Sequence, residues 1–275
     1  MTIGFPKRAR QKCYKPHYNF LLDLLKSLNL NVVLYGPESS PGGSFVCRID
    51  DQRAIIDYAD FLEAREGISD SDICFKYHYS RFHYEGINNI YPLGPMSFHR
   101  WDDYFTLEKE IVYSCNSDRI LSNQRPHHGA RKRRAIAQEV LRGKYGDDLD
   151  VEITDQPTYW EKINDCLVSV CVPGQRGTIL DRGQFQYMAF GACTISPRLN
   201  IVLPNMVEPE PGVHYIECAN KFSDLIEKVE WCKSHRDECI QIGQNAKRLF
   251  KENCTPVAVW EWMNKALDKV RQEAK

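Results

Sequence analysis

The sequence has no apolar run approaching the ~18–20 residues that a membrane-crossing helix needs, so no span is expected. Its first residues lack the charged, then apolar, then small order of a secretory leader, and a soluble, cytoplasmic chain is expected. Neither sign of charge dominates. Against 36 Lys and Arg stand 37 Asp and Glu, a net charge of −1, so no global basic field argues for nucleic acid. Eleven cysteines are many, but they are odd in number, scattered singly and never form C-x-x-C. Cys166 and Cys171, five apart on a strand, face opposite ways, and Cys232 and Cys239 at helical spacing read as core. Reduced, buried thiols follow, and no metal site is expected. Three fingerprints are also missing: G-x-G-x-x-G after the first strand of either half, G-x-x-x-x-G-K-[ST], and G-x-S-x-G. Dinucleotide, P-loop and α/β-hydrolase chemistries are disfavoured accordingly.

What the sequence does carry is periodicity. Phe20, Leu21, Leu24, Leu25 and Leu28 form one face of an amphipathic helix over His17–Leu28, and NVVLYG (31–36) reads as a strand. SFVCRI and RAIID, separated by Asp50, Asp51 and Gln52, suggest a hairpin. A short helix is expected over Phe61–Arg65, then a strand at ICFKYHY and an aromatic, proline-rich connection through Trp101. From about Asp118 strands and helices alternate: DRILSN, a helix over Gly129–Gly143 with Ile136, Ala137, Val140 and Leu141 inward, LDVEIT, a helix over Pro157–Asn164, and CLVSVCV. A helix from Asp181, strands ACTIS and VHYIE, and two or three closing helices follow, the last starting at Thr255–Pro256. This order predicts an α/β protein of two lobes meeting near Tyr113–Asp118.

In an open parallel sheet, ligands sit at the carboxyl ends of the strands. Three loops fall there: Ser122–Arg134, Ile153–Trp160 and the stretch PGQRGTILDRGQ (173–184). They would bring Arg125, Arg131, Arg176 and Arg182 toward two helix starts, a combination suited to a diphosphate. Simpler readings stand beside this. Asp181 with Gln184 fits a capping box, the arginines fit a solvated face, and His127 and His128 fit a loop.

Strand, PGQRGTILDRGQFQYMAFGACTIS, GVHYIECANKFSDLIEKVEWC and IGQNAKRLFKENCTP, taken in that order, resemble the C-terminal lobe of GT-B-fold glycosyltransferases. The likeness is to the exostosin-like and CAP10-like group, including small glycosyltransferases of large algal viruses, and xylosyl transfer is one activity it implies for this chain. RAIIDYADF and DICFKYHYSRFHYEGINNIYPLGP are similar to the first lobe of the same group. The resemblance implies two Rossmann-like lobes. Residues 1–115 would bind acceptor and 116–254 the nucleotide sugar, and a helix at 255–275 would return to the first lobe. It implies Asp181 near the ribose, Arg176 and Arg182 on the pyrophosphate, and Gly174, Gly177 and Thr178 in the loop that the backbone brings close. Asn123, Gln124, Arg125 and Arg131 would approach the phosphates, and the base would lie near Thr154–Tyr159. Many of these relatives carry a glutamate in the helix where this chain has Gln184 and Gln186.

The implied reaction moves a sugar from a nucleotide donor, UDP-xylose or UDP-glucose favoured, to a glycan hydroxyl, glycoprotein-linked or free. It would invert and need neither a metal nor a tightly bound cofactor, and the infected cell's cytoplasm would be its setting. Asp57 is the first choice for the base and His78 the second. Tyr77, Tyr79, Arg81 and Trp101 are expected to bind the acceptor, with Phe82 and Tyr84 beside them. Two rivals remain: a different nucleotide-dependent enzyme, and a catalytically silent glycan-binding or scaffold protein on the same fold.

Overall fold

The computed structural model describes residues 2–7, 15–36, 43–50, 52–59, 68, 72–84, 87–94, 101–125, 128–174 and 181–273. The helix expected at 61–65 lies outside the described residues, as do Arg176, Gly177 and Thr178. The chain divides into two compact units. One comprises Met1–Trp101, Ile201–Glu208 and Glu252–Lys275; the other comprises Asp102–Asn200 and Pro209–Lys251.

The first unit is built on a six-stranded mixed sheet of β1 (Thr2–Pro6), β2 (Asn31–Tyr35), β3 (Ser44–Ile49), β4 (Gln52–Asp57), β5 (Ile73–Lys76) and β6 (Ile90–Pro92). Its order is β2-β1-β3-β4-β5-β6. β3 and β4 form the expected hairpin, with Ile49 opposite Gln52, and Asp50 at φ 50° supplies the left-handed geometry a tight hairpin favours. Since β3 runs antiparallel to both β1 and β4, this sheet departs from the expected Rossmann-like arrangement. Only β1–β2 and β4–β5–β6 are parallel. Helix α1 (Lys15–Ser27) buries Tyr18, Phe20, Leu21, Leu24 and Leu25. Asn29, at φ 53°, ends it with the paired bonds Asn29 N–H to Lys26 O and Leu30 N–H to Leu25 O. The one-turn helix α2 (Arg81–Tyr84) follows β5.

Further along the chain, α3 (Trp101–Leu107) replaces part of the expected loop. The second unit carries β7 (Ile120–Leu121), α4 (Arg131–Tyr145), β8 (Leu149–Asp150), α5 (Gln156–Asp165), β9 (Val168–Val170), α6 (Arg182–Phe190), β10 (Thr194–Ser196), β11 (Ile216–Glu217), α7 (Leu225–Ser234) and α8 (Arg236–Cys254). The last helix, α9 (Pro256–Glu273), belongs to the first unit, where Trp262 Nε1 donates to Pro92 O at 2.7 Å.

The division falls at Trp101/Asp102 rather than near 115. Tyr104 explains the shift: it packs edge-on against Phe190 and Phe250 of the second unit. Ile201–Glu208 joins the first unit because Val202 N–H bonds Tyr79 O and Met206 O accepts from Arg81. The five-stranded sheet of the second unit is parallel throughout, in the order β11-β10-β9-β7-β8. From β7 the chain steps to one side for β8 and to the other for β9. The β7/β9 border is therefore the topological switch point, where the crevice of such a sheet opens.

Candidate nucleotide-binding site

Two loops leave the sheet at that border, and a buried glutamine ties them together. Gln124, 9% exposed, follows β7, and its side chain behaves as a stand-in for a ladder partner beyond β9. Oε1 accepts from Val172 N at 2.5 Å and Nε2 donates to Val172 O at 3.3 Å. Gln138 on α4 braces the same loop from below, donating to Ser122 O at 2.6 Å and Gln124 O at 3.3 Å. Backbone carbonyls that the two-residue strand leaves unpaired are thus satisfied by side chains.

The basic run at the start of α4 has one member turned inward. Arg134 is 9% exposed, whereas Arg131 is exposed. Its Nη1 donates to Arg125 O at 2.8 Å, and its Nη2 pairs with Asp181 Oδ2. Asp181 in turn caps α6, its Oδ1 accepting from Gly183 N at 2.9 Å. The expected capping box is only half formed: Gln184, 1% exposed, sends its amide to Thr194 Oγ1 at 3.0 Å rather than back to the cap. Gln186 bonds Trp160 Nε1 at 2.7 Å. Both glutamines on α6 therefore serve the packing of the helix.

Arg134 was not singled out in the sequence, though a signal was present. Arg134, Ala137, Leu141 and Tyr145 are the buried face of α4, at spacings of three, four and four. The expected face included Ile136, which is 37% exposed, and Val140, which is half-buried.

The other expected donor residues lie on the loops after β7, β8 and β9 and on α5 and α6. Arg125 and Arg182 are exposed at the rim, Asn123 is half-buried, and Gly174 is half-buried beyond Val172. Thr154 lies in the loop after β8, its hydroxyl buried and without a hydrogen-bond partner among the described residues. Tyr159 on α5 packs edge-on to Tyr187, and its hydroxyl faces Gly183, at whose position a Cβ would stand 3.5 Å away. Burial pushes the Tyr159 phenol well above its ordinary range, so it acts as a neutral hydroxyl. Burial, reinforced by the Asp181 charge, likewise drives the Cys171 thiol far up, which removes it as a nucleophile.

In the first unit, Asp57 and His78 lie at the carboxyl ends of β4 and β5, and both are buried, 2% and 3% exposed. Asp57 Oδ2 stands 3.1 Å from Lys76 Nζ, and Oδ1 accepts from Ala59 N at 2.9 Å. His78 packs against Tyr77, their rings 4.0 Å apart. Trp101 belongs to the core, buried against Phe20, and Tyr77 is buried too. Phe82, by contrast, is 87% exposed. Tyr79 and Arg81 line a pocket of about 850 Å³ together with Tyr84, Tyr91, Asn88, Trp262 and Lys265. Its volume is that of a ligand site, and its walls mix aromatic faces with polar tips. The sequence did not reveal that α9 supplies one wall.

No family model matches this chain. Two curated proteins are similar over short stretches: uncharacterized protein 179R of Invertebrate iridescent virus 6, 27% identical over 62 residues, and uncharacterized protein 035R of Invertebrate iridescent virus 3, 22% identical over 64. Those matches take in 22% and 23% of this chain but only 5% and 6% of the viral proteins. No helix among the described residues is long and apolar enough to cross a membrane. The structure is similar over 99% of its length to a glycosyltransferase from Rickettsia africae ESF-5, of which it covers 77%, with a TM-score of 0.51 and 11% identity. At that identity the likeness speaks for architecture alone: the chain shares the fold of that protein.

Proposed function

We propose that this chain transfers a sugar from a nucleoside diphosphate donor, held at the β7/β9 switch point, to a hydroxyl of a glycan. One observation carries the reading. Gln124, Arg134 and Asp181, from three separate segments, lock two strand-end loops and the start of α6 into one rigid edge. A departing diphosphate needs fixed positive ends that do not reorganise, and such an edge supplies them. Asp181 and Arg134 neutralise each other, so the net positive charge offered to phosphate comes from Arg125, Arg131 and Arg182 at the rim. Thr154 and Tyr159 present neutral hydroxyls to the nucleoside side. A UDP-sugar, with xylose or glucose as the sugar, and inversion without an obligatory metal complete the proposal, in a GT-B arrangement of the two units. The acceptor belongs in the first unit's pocket, where Tyr91 and Trp262 offer the faces on which sugar rings stack.

Thermal shift against UDP, GDP, ADP and NAD tests the donor assignment. UDP is expected to raise the melting temperature, and Arg182→Met to weaken its binding by about 10–100-fold, the worth of a charged hydrogen-bonding anchor. Indifference to every nucleotide diphosphate would sink the reading. A glycan-binding chain without turnover is the second reading, and the burial of both expected bases favours it. Hydrolysis or transfer of the sugar from a bound UDP-sugar, present or absent in the parent chain, separates the two.

A further inference from the structure

Four cysteines converge in the second unit at the opposite end of β10 from the switch-point loops. Cys193 immediately precedes β10, Cys232 lies in α7, Cys239 in α8, and Cys115 in the segment leading to β7. The sulfurs of Cys193, Cys232 and Cys239 all lie within 4.8 Å of one another. The Cys239 thiol points to Cys232 O at 4.0 Å, and Cys115, close enough to Cys239 to interact with it, donates its thiol to Leu167 O at 3.3 Å. All four are 0% exposed, and none is in a disulfide.

Ordinary burial of small apolar side chains does not require this. Thiols are weak hydrogen-bond partners, and a free buried cysteine packs well against any hydrocarbon. No other group of three or more metal-ligating side chains forms among the described residues, although six further buried cysteines are present. A tetrahedral zinc with Zn–S bonds of ~2.3 Å holds its sulfurs ~3.8 Å apart, so the three thiols need contract by no more than about 1 Å.

Cys115 carries a second, independent mark. It adopts φ 54°, a left-handed conformation that costs a non-glycine residue about 1 kcal/mol. Arg236 holds it there: its Nη1 donates to Cys115 O at 2.5 Å and to Ser117 O at 2.9 Å, and its Nη2 pairs with Asp118. The clamp fixes the backbone at Cys115, from which a turn of its side chain away from Leu167 O would bring the sulfur to the trio, and sets a guanidinium beside a group that would carry excess negative charge as a metal thiolate.

We propose that Cys115, Cys193, Cys232 and Cys239 form a closed, four-thiolate structural site for a single zinc ion. Binding exchanges the thiol protons, released to solvent, for four Zn–S bonds, with no change of oxidation state. A full set of protein ligands leaves no open position, so the ion's role is to tie α7, α8, β10 and the segment ahead of β7 together. Spacing along the chain carried no such signal, since four separate segments each contribute one ligand. Cys232 and Cys239, expected to share a helix, lie on two.

The test is the metal content of the chain purified without a chelating resin, measured by elemental mass spectrometry. One equivalent of zinc per chain is expected, and cobalt replacing it should show tetrahedral ligand-field bands with sulfur-to-metal charge transfer. Cys193→Ser and Cys232→Ser should each lose most of the metal, while Cys74→Ser, at a buried cysteine of the other unit, should keep it. Should the serine variants fail to fold, a mercurial thiol reagent added to the parent chain should release one equivalent of zinc to a chromophoric chelator. Less than about one tenth of an equivalent together with featureless cobalt spectra overturns the site, and stoichiometric iron instead of zinc overturns the choice of ion.

Discussion

Asp57→Ala is the substitution that best separates catalysis from architecture in the first unit. Asp57 and Lys76 have side chains 3% and 1% exposed, with Oδ2 and Nζ 3.1 Å apart. Lys76 Nζ also donates to Ala59 O at 2.8 Å, while Asp57 Oδ1 accepts from Ala59 N at 2.9 Å. The pair thereby pins the chain leaving β4 onto the end of β5. Alanine at 57 removes the charge facing a buried ammonium and the acceptor for a buried N–H. Breaking one side of a buried ion pair costs about 3–5 kcal/mol, against a total stability of about 5–15 kcal/mol for a typical domain. Urea unfolding followed by tryptophan fluorescence should therefore show a large fall in midpoint for Asp57→Ala. The double variant Asp57→Ala/Lys76→Met should regain much of it, because no buried charge is then left uncompensated. Sugar-nucleotide turnover measured on the folded fraction should survive in the double variant. A single variant with the parent midpoint and no turnover would make Asp57 the base and refute the structural argument.

Three further outcomes follow from particular contacts. Gly243→Ala should strongly destabilise the second unit, read as melting temperature, because a Cβ there would stand 1.9 Å from Gly191 O, whereas Gly143→Ala, with open space around it, should be neutral or stabilising. Burial raises the Glu108 pKa, but the ammonium groups of Lys251 and Lys247 outweigh it and hold the carboxyl below its ordinary 4.5. Stability from this group is thus complete above about pH 4.5 and is lost as pH falls below it through the folded value, so Glu108→Gln should flatten the acid limb of a melting-temperature profile. Asp181→Asn keeps a good cap but loses the Arg134 pair, so it should lower the melting temperature while leaving UDP affinity undiminished. A collapse of UDP affinity in that variant would return Asp181 to the ribose.

Local periodicity was enough for α1, the β3–β4 hairpin and the alternation of the second unit, since each writes its buried face into adjacent residues. β1 and β6 escaped. TIGFP and IYP are short, contain proline, and gain their strand character from neighbours far along the chain. In the second unit the strands pair over only two residues each, and the rest of each apolar segment turns into the neighbouring loop. Composition pointed to those loops but not to which arginine enters. Helix phase decides that, and the boundary of α4 at Arg131 puts Arg134 inward. The thiol cluster and the α9 wall of the pocket were out of reach for the same reason: both assemble residues separated by tens to hundreds of positions.

The residues that carried the family resemblance turn out to be chiefly those that pack. Gly191 closes α6 at φ 77°, with its N–H on Met188 O and Ala192 N–H on Tyr187 O, a turn that needs glycine. Gly243 on α8 lets that turn approach to backbone contact, and Ala246 and Phe250, one and two turns on, are 0% exposed, Phe250 against Tyr104. A motif made of such residues specifies how α6 and α8 fit the parallel sheet, whatever ligand the sheet later holds. The proposed donor contacts rest on a different set: Arg125, Arg131 and Arg182, on the edge that Gln124, Arg134 and Asp181 brace at the other end of the strands. Substituting the packing set should cost stability and leave nucleotide preference unchanged, while substituting the rim arginines should weaken nucleotide binding at a modest cost in stability.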